Sequence, residues 1–369
     1  MPTSKLQKME KQLSVAAETP APEPMPTPVA SAAPAQKKFI GYIHNFRGVA
    51  IIYVVGAHIL LNWKEGSVTH KILDVIMQNS TILFLFIAGY LFQHLSAKFE
   101  YKDYLVKKFQ NVICPYLLLS IPVLVYRLVT QDINGFTLED HPDFGAWPRW
   151  EQAAYYLLHG AHLQQLWFIP MIALYYLIAP ILLYMDRKPV LYWSLVPLVI
   201  LSYVVQRSVL SDTLIMGVHF LSVYVFGMFL SQYKDQFLVF AQKYWIAITV
   251  LPIAFLVLNY FVSKPFYDPV DYTHKMLFCP FYLYWLWRLE KYVPKVVDVL
   301  AVYSFGIYFV HYFFVLLLRG LYQLTFHKPM PGNLLIWTVC LVIVMALSIW
   351  TLQLARRVFG NRSKFLVGC

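Results

Sequence analysis

Long apolar runs recur along almost the whole chain after Phe39, and they constrain the fold more than any other feature. A helix that crosses the hydrocarbon core of a bilayer, about 30 Å thick, needs roughly 20 mostly apolar residues. Only 13% of the residues are charged and 59% are hydrophobic, which is far from the balance of soluble domains. The sequence therefore predicts an all-α, polytopic membrane protein. We predict about ten transmembrane helices in one bundle, near residues 40–62, 72–94, 112–130, 165–185, 190–206, 213–231, 244–263, 272–289, 299–320 and 333–355.

The first 38 residues differ in composition from the rest of the chain. The stretch AAETPAPEPMPTPVASAAPAQ is rich in proline, alanine and threonine and has almost no large apolar side chain. Such a segment cannot bury enough surface to offset the entropy lost on ordering. We therefore predict a disordered cytoplasmic tail over residues 1–38 and a transmembrane domain over residues 39–369.

The basic residues indicate how the bundle is oriented. Lysine and arginine collect in alternate loops, and the positive-inside rule places the richer loops, and with them both termini, in the cytoplasm. The poorer loops carry Lys64, Lys71, Arg149, Arg207, Lys264 and Lys328. This topology accounts for the net charge of +11, so no nucleic-acid partner is predicted. The four cysteines form no C-x-x-C pair, and no metal site is predicted.

The stretch HNFRGVAIIYVVGAH, from His44 to His58, places titratable groups in an otherwise apolar run. Arg47 and His58 lie eleven residues apart, so a helix holds them within about 20° of one face and roughly 16 Å apart along its axis. An intramembrane arginine is expected to face the bundle interior or a wet cavity. Purely structural roles stay open for each residue, but two on one stripe favour function. A histidine can act as a general base, and an arginine can hold phosphate or a developing anion.

Four later stretches combine apolar residues with polar anchors. They are LFLFIAGYLF (83–92), YLVKKFQNVICPYL (104–117), QLWFIPMIALYYLIAPIL (165–182) and SFGIYFVH (304–311). Together with Arg-x10-His in the first span, they resemble, in order, the motifs of the acyltransferase 3 family of membrane-bound acyltransferases. The resemblance covers residues 40 to about 320.

This resemblance implies a ten-helix bundle of the plasma (inner) membrane. It would move an acetyl or other short acyl group from cytoplasmic acyl-CoA to a hydroxyl of an extracytoplasmic cell-surface glycan. His58 would be the catalytic base and Arg47 its essential partner. The CoA nucleotide would bind near Lys107, Lys108 and His44, although the family often has adjacent arginines in this segment, and lysine lacks their bidentate fork. The implied partners are acetyl-CoA as donor, the glycan acceptor, membrane lipid and, as further candidates, polysaccharide synthesis or export proteins.

Two other groups of residues are candidates for acceptor binding. Ser304, Tyr308 and His311 lie on one face of a predicted helix and could line the acceptor path, although interhelical hydrogen bonding would explain them equally well. Gln165 and Trp167 stand where the fourth span begins. A tryptophan there is either an interface anchor or a surface on which a sugar ring stacks.

Two other classes of function fit a polytopic bundle with a polar stripe. One is a polysaccharide exporter or flippase, and the other is a non-catalytic subunit of a polysaccharide synthase complex. An acyltransferase should label a glycan only when acyl-CoA is present, whereas an exporter should move unmodified glycan without any acyl donor. A non-catalytic subunit would tolerate the loss of both Arg47 and His58.

Overall fold

The computed structural model describes residues 40–207, 212–263 and 265–369, and these ranges are almost entirely helical. The one β-type contact within them is an isolated bridge between Trp63 and Gly332. The prediction of an all-α fold is therefore confirmed. The predicted disordered tail, residues 1–38, lies outside the described residues.

The helices follow one another with short connections. The first seven are α1 Gly41–His58, α2 Val68–Met77, α3 Thr81–His94, α4 Tyr101–Lys108, α5 Cys114–Thr130, α6 Gly135–Asp140 and α7 Arg149–His159. The next ten are α8 Phe168–Leu177, α9 Ala179–Asp186, α10 Leu195–Val204, α11 Thr213–Gln232, α12 Lys234–Lys243, α13 Trp245–Phe261, α14 Tyr267–Arg288, α15 Lys295–Phe326, α16 Leu334–Phe359 and α17 Ser363–Val367. A π-helical turn, Phe109–Ile113, joins α4 to α5.

Several helical segments are long and apolar enough to cross a bilayer. Five qualify alone: Val68–His94, Tyr101–Thr130, Thr213–Gln232, Lys295–Phe326 and Leu334–Val367. The bent pairs α8–α9 and α12–α13, with angles of 60° and 86°, raise the number to seven if each pair is one span. A helical, multi-pass membrane protein is thus confirmed, whereas the count of about ten and the cytoplasmic termini stay predictions.

Each predicted span overlaps a helix, but three of them do not meet that criterion. The apolar helix over Pro189–Val204 is short. Helices α1 and α14 carry polar and charged side chains, such as Arg47 and Lys275, inside their runs. Hydropathy alone is therefore least informative for these two helices, and their polar side chains are candidates for function.

The centre of the bundle is built from two closely packed helix pairs, α1 with α15 and α3 with α11. Glycines permit this approach because a side chain at their positions would meet the backbone of the partner helix. A Cβ at Gly48 would collide with the Val297 carbonyl oxygen, and one at Gly227 with that of Phe86. Helix α14 packs against both α1 and α3. The polar face of α1 is thus pressed against α15.

Helices α11 and α16 begin beside the end of α1, which we name the His58 end of the bundle. Asp212 caps α11 by accepting from the Leu214 amide at 2.8 Å, and Asn333 caps α16 by accepting from the Ile336 amide at 2.9 Å. Such caps satisfy amide groups that have no partner inside the helix. They fix where the chain turns back into the bundle at the His58 end.

Candidate active site

Arg47 connects α1 to α15. Its Nη2 donates to the Ser304 hydroxyl at 3.0 Å, and that hydroxyl donates to the Ala301 carbonyl at 2.9 Å. No carboxylate within the described ranges forms an ion pair with Arg47. The guanidinium charge therefore remains available to an anionic group. Ser304 is fully buried and engaged with Arg47, so its predicted contact with substrate stays a prediction.

His58 lies against a second histidine of α15. The rings of His58 and His311 have centroids 5.2 Å apart, and the Tyr312 ring stands edge-on to His58 at 5.4 Å. The His311 Nδ1 is 2.9 Å from the carbonyls of Ile307 and Tyr308. Because carbonyls only accept hydrogen bonds, Nδ1 carries the hydrogen. The buried Nε2 has no partner in the described part of the chain. Both Arg47 and His58 thus face α15.

A small cavity of ≈ 70 Å³, which we name the His58 cavity, lies beside His58. Its polar wall includes His58, Gln78, Asn79, Gln165, Trp167, Arg207 and Tyr308. The Tyr308 hydroxyl donates to the Gln165 carbonyl at 2.5 Å, and the buried Gln165 Oε1 has no partner among described residues. Trp167 stacks on Phe220, with the Arg207 guanidinium 5.5 Å from its ring centre. The structure thus brings Gln165, Trp167 and Tyr308 to His58, although Phe220 already covers the Trp167 ring.

A larger cavity of ≈ 270 Å³ adjoins the His58 cavity and shares Gln78, Asn79 and Arg207 with it. We name it the acidic cavity because its wall carries three aspartates. These and its tyrosines are Asp74, Asp268, Asp271, Tyr203, Tyr267 and Tyr272. Carboxylates and hydroxyls can both hydrogen-bond a polyhydroxylated ligand.

The three residues predicted to bind CoA lie at the opposite, Gly41 end of the bundle. The Lys107 side chain is exposed, whereas the half-buried Lys108 places Nζ 4.8 Å from the Tyr176 ring centre. His44 Nε2 is 2.9 Å from the Asp298 carboxylate. The structure therefore leaves both lysines near the surface but gives His44 a carboxylate neighbour, which opposes phosphate binding there.

Residues 40–353 match the family model of the acyltransferase 3 family, described as an acyltransferase domain. The chain belongs to the acyltransferase 3 family. Neither a curated protein nor a solved structure gave a match to it. Family membership and the apolar helices together make the protein a membrane acyltransferase.

This acyltransferase also has a buried polar cluster on α14 that sequence reasoning missed. Asp271 accepts from the side-chain amides of Asn79 and Asn259, each at 2.9 Å. Lys275, only 2% exposed, donates to the Val75 carbonyl at 2.9 Å and so caps the end of α2. The segment DYTHK (271–275) could have indicated this cluster, because residues three and four apart lie on one helical face.

Arg207 also belongs to the candidate site, and the sequence did not single it out. From the sequence it counted only as a loop charge, yet it lines both the His58 cavity and the acidic cavity. Burial lowers the pKa of Arg207, and the neighbouring Asp271 and Asp268 act in the opposite direction. No sequence pattern joins Arg207 to His58, because their proximity arises only from helix packing.

Proposed function

We propose that this protein is an O-acyltransferase of the plasma (inner) membrane. It would transfer an acetyl or other short acyl group from cytoplasmic acetyl-CoA, or a related acyl-CoA, to a hydroxyl of an extracytoplasmic cell-surface glycan. The observation that carries the proposal is the shared face of α1, which points Arg47 at Ser304 and His58 at His311. His58 also borders a polar cavity. A cation and a base thus lie along one helix face, at the contact between α1 and α15.

The donor would bind from the Gly41 end. Lys107 and Lys108 offer two positive charges for the CoA phosphates, and His44 would join them only by leaving Asp298. Deeper in the bundle, Arg47 has a charge with no carboxylate partner in the described ranges. A half-buried cation without an ion-pair partner favours an anionic group. We assign Arg47 to the donor phosphates or to the oxyanion that forms as the thioester is attacked.

The chemical step would use His58 as the general base. His58 takes the proton of the acceptor hydroxyl while the hydroxyl oxygen attacks the thioester carbonyl carbon. The carbon–sulfur bond then breaks, and the CoA thiolate leaves and recovers the proton from His58. Base catalysis of this kind contributes typically 10²–10⁴-fold. His311, whose Nδ1 donates to backbone carbonyls, would hold the His58 ring in place.

The acceptor would approach from the His58 end. The acidic cavity adjoins the His58 cavity, and its aspartates and tyrosines suit the hydroxyls of a sugar. Gln165 contributes a buried side-chain oxygen with no partner among the described residues. Such an atom gains a hydrogen bond when a hydroxyl enters.

The test is acyl transfer by purified protein. Radiolabelled acetyl-CoA and candidate surface glycans are incubated with wild type, His58→Asn and the matched control His327→Asn, which changes an exposed histidine. We expect the label to reach a glycan with wild type and the control, and to fall at least 100-fold with His58→Asn. Equal labelling by all three would refute the role of His58. Movement of unmodified glycan into vesicles without acetyl-CoA would favour export instead.

A further inference from the structure

A third cavity opens at the His58 end, with a volume of ≈ 350 Å³. None of its lining residues borders the His58 cavity or the acidic cavity. We name it the arginine cavity, after Arg127 and Arg319. Its other polar residues include Asn134, Tyr155, Gln164 and Tyr312.

The arginine cavity is positively charged. Its wall contains two arginines and no aspartate or glutamate, whereas the acidic cavity has three aspartates and one arginine. Asp132 pairs with Arg127 at 2.9 Å, but Arg319 forms no ion pair within the described ranges. Burial lowers the pKa of the lining residue His162 to about 4, so its ring is neutral near pH 7. The net positive charge therefore comes from Arg319, because Asp132 balances the charge of Arg127.

Both arginines stand toward one end of a candidate membrane span. Arg127 and Arg319 lie near the His58 ends of Tyr101–Thr130 and Lys295–Phe326, two of the candidate spans. With the predicted orientation, the positive-inside rule favours basic residues at the opposite, Gly41 end. A cation inside a span usually pairs with another group or marks a pathway, and Arg319 has no ion pair within the described ranges.

The remaining polar atoms of the cavity include free hydrogen-bond donors. The Tyr155 hydroxyl is buried and has no partner in the described part of the chain. The Gln164 Oε1 accepts from the Tyr312 hydroxyl at 2.6 Å, which leaves the amide hydrogens of Gln164 to donate elsewhere. Guanidinium, phenol and amide groups around one cavity match the acceptor oxygens of a carboxylate or phosphate.

Tyr312 links this cavity to the proposed catalytic base. It lines the arginine cavity, and its ring stands 5.4 Å from that of His58. A ligand in the cavity would thus lie on the far side of Tyr312 from the reacting hydroxyl. On a polymeric acceptor, this place corresponds to a neighbouring sugar.

We propose that the arginine cavity binds the carboxylate or phosphate of an acidic glycan, with Arg319 as the principal ligand. This inference rests on the proposed function for the identity of the glycan as acceptor. It adds that the acceptor is anionic and that the protein holds it through an acid group on the sugar next to the acylated one.

The test measures binding and needs no catalysis, so it can fail independently of the proposed function. The probes are trigalacturonate and neutral trigalactose, titrated by calorimetry into purified protein in nanodiscs of phosphatidylcholine. The proteins are wild type, His58→Asn, Arg319→Gln, Arg319→Lys and the control Lys328→Gln, which removes an exposed cation at the same end. Each variant is first checked for monodisperse elution and for a wild-type unfolding temperature.

We expect wild type, His58→Asn and Lys328→Gln to bind trigalacturonate at least tenfold more tightly than trigalactose. Arg319→Gln should lose about tenfold of that affinity, because one charge-assisted contact disappears, and Arg319→Lys should lie between. Equal binding of both probes, or an unchanged preference in Arg319→Gln, would overturn the proposal. Nanodiscs containing phosphatidylglycerol provide the last arm. If the trigalacturonate affinity of wild type falls there to that of Arg319→Gln, while the affinity of the variant does not change, the cavity would be assigned to lipid phosphate instead.

Discussion

Replacing Arg47 with glutamine should slow acyl transfer far more than it destabilises the fold. Arg47 is half-buried, donates to Ser304 at 3.0 Å and has no ion pair within the described ranges. Ser304 keeps its own hydrogen bond to Ala301, so the free energy of unfolding should fall by only about 1 kcal/mol. Losing a contact between the guanidinium and an anion should cost about 1.5–3 kcal/mol of binding or transition-state energy. This corresponds to a roughly 10- to 100-fold fall in kcat/KM.

Two matched variants separate the charge of Arg47 from its structural contact. Arg47→Lys keeps the charge and loses the bidentate fork, so its rate should be intermediate. Ser304→Ala removes the hydrogen bond that holds Arg47 but leaves the charge, so it should cost only about fivefold. Initial rates with radiolabelled acetyl-CoA, measured over a range of donor concentrations, give kcat and KM for each variant. A higher KM alone would assign Arg47 to donor binding, and equal falls in kcat and kcat/KM would assign it to the transition state.

Two outcomes would show that the charge of Arg47 has no part in the reaction. If Arg47→Gln transfers acetyl within twofold of wild type, at equal amounts of folded protein, the arginine has no part in the reaction. If Ser304→Ala loses as much activity as Arg47→Gln, the arginine acts as an interhelical contact and its charge is incidental.

Three further predictions concern the stability of the bundle. Lys275→Met should lower the free energy of unfolding by about 1–3 kcal/mol, because the buried carbonyl of Val75 loses its hydrogen-bond donor, and the unfolding temperature in detergent should fall accordingly. Gly227→Ala should cost about 1–3 kcal/mol, because its methyl group would meet the Phe86 carbonyl, and the same thermal assay would show this. Burial lowers the pKa of His162 to about 4, so the unfolded chain gains a proton first as the pH falls. Stability should therefore be full above about pH 6.5 and drop by up to about 3 kcal/mol toward pH 4. His162→Gln should flatten that part of the curve, and an unchanged curve would contradict the assignment.

Helical periodicity explains which parts of the site could be predicted from the sequence. Arg47 and His58 lie three helical turns apart on one face, and Ser304 and His311 lie two turns apart on another. Each face could be identified separately, because the rotation of 100° per residue in a helix determines which residues lie on the same face. The sequence patterns do not show that these two faces pack against each other. This packing could be inferred only from the resemblance to a family or from the structure itself.

The rest of the site depends on packing between distant segments. Arg207 reaches the His58 cavity from a loop, and Asp271 borders the acidic cavity from the start of α14. Arg127 and Arg319 stand on different helices and meet only at one cavity wall. Single charges in apolar runs could have been marked as functional from the sequence, but no spacing rule assigns them to a common site.

The opposite charges of the two larger cavities would also orient an acidic acceptor. A sugar that carries a carboxylate is disfavoured in the acidic cavity, because three aspartates would repel it, and is favoured beside Arg319. The acidic cavity adjoins the His58 cavity, whereas the arginine cavity meets His58 only through Tyr312. A neutral sugar would then present its hydroxyl to His58 while its acidic neighbour is held on the other side of Tyr312. The choice of acylated position would follow from repulsion in one cavity as much as from attraction in the other.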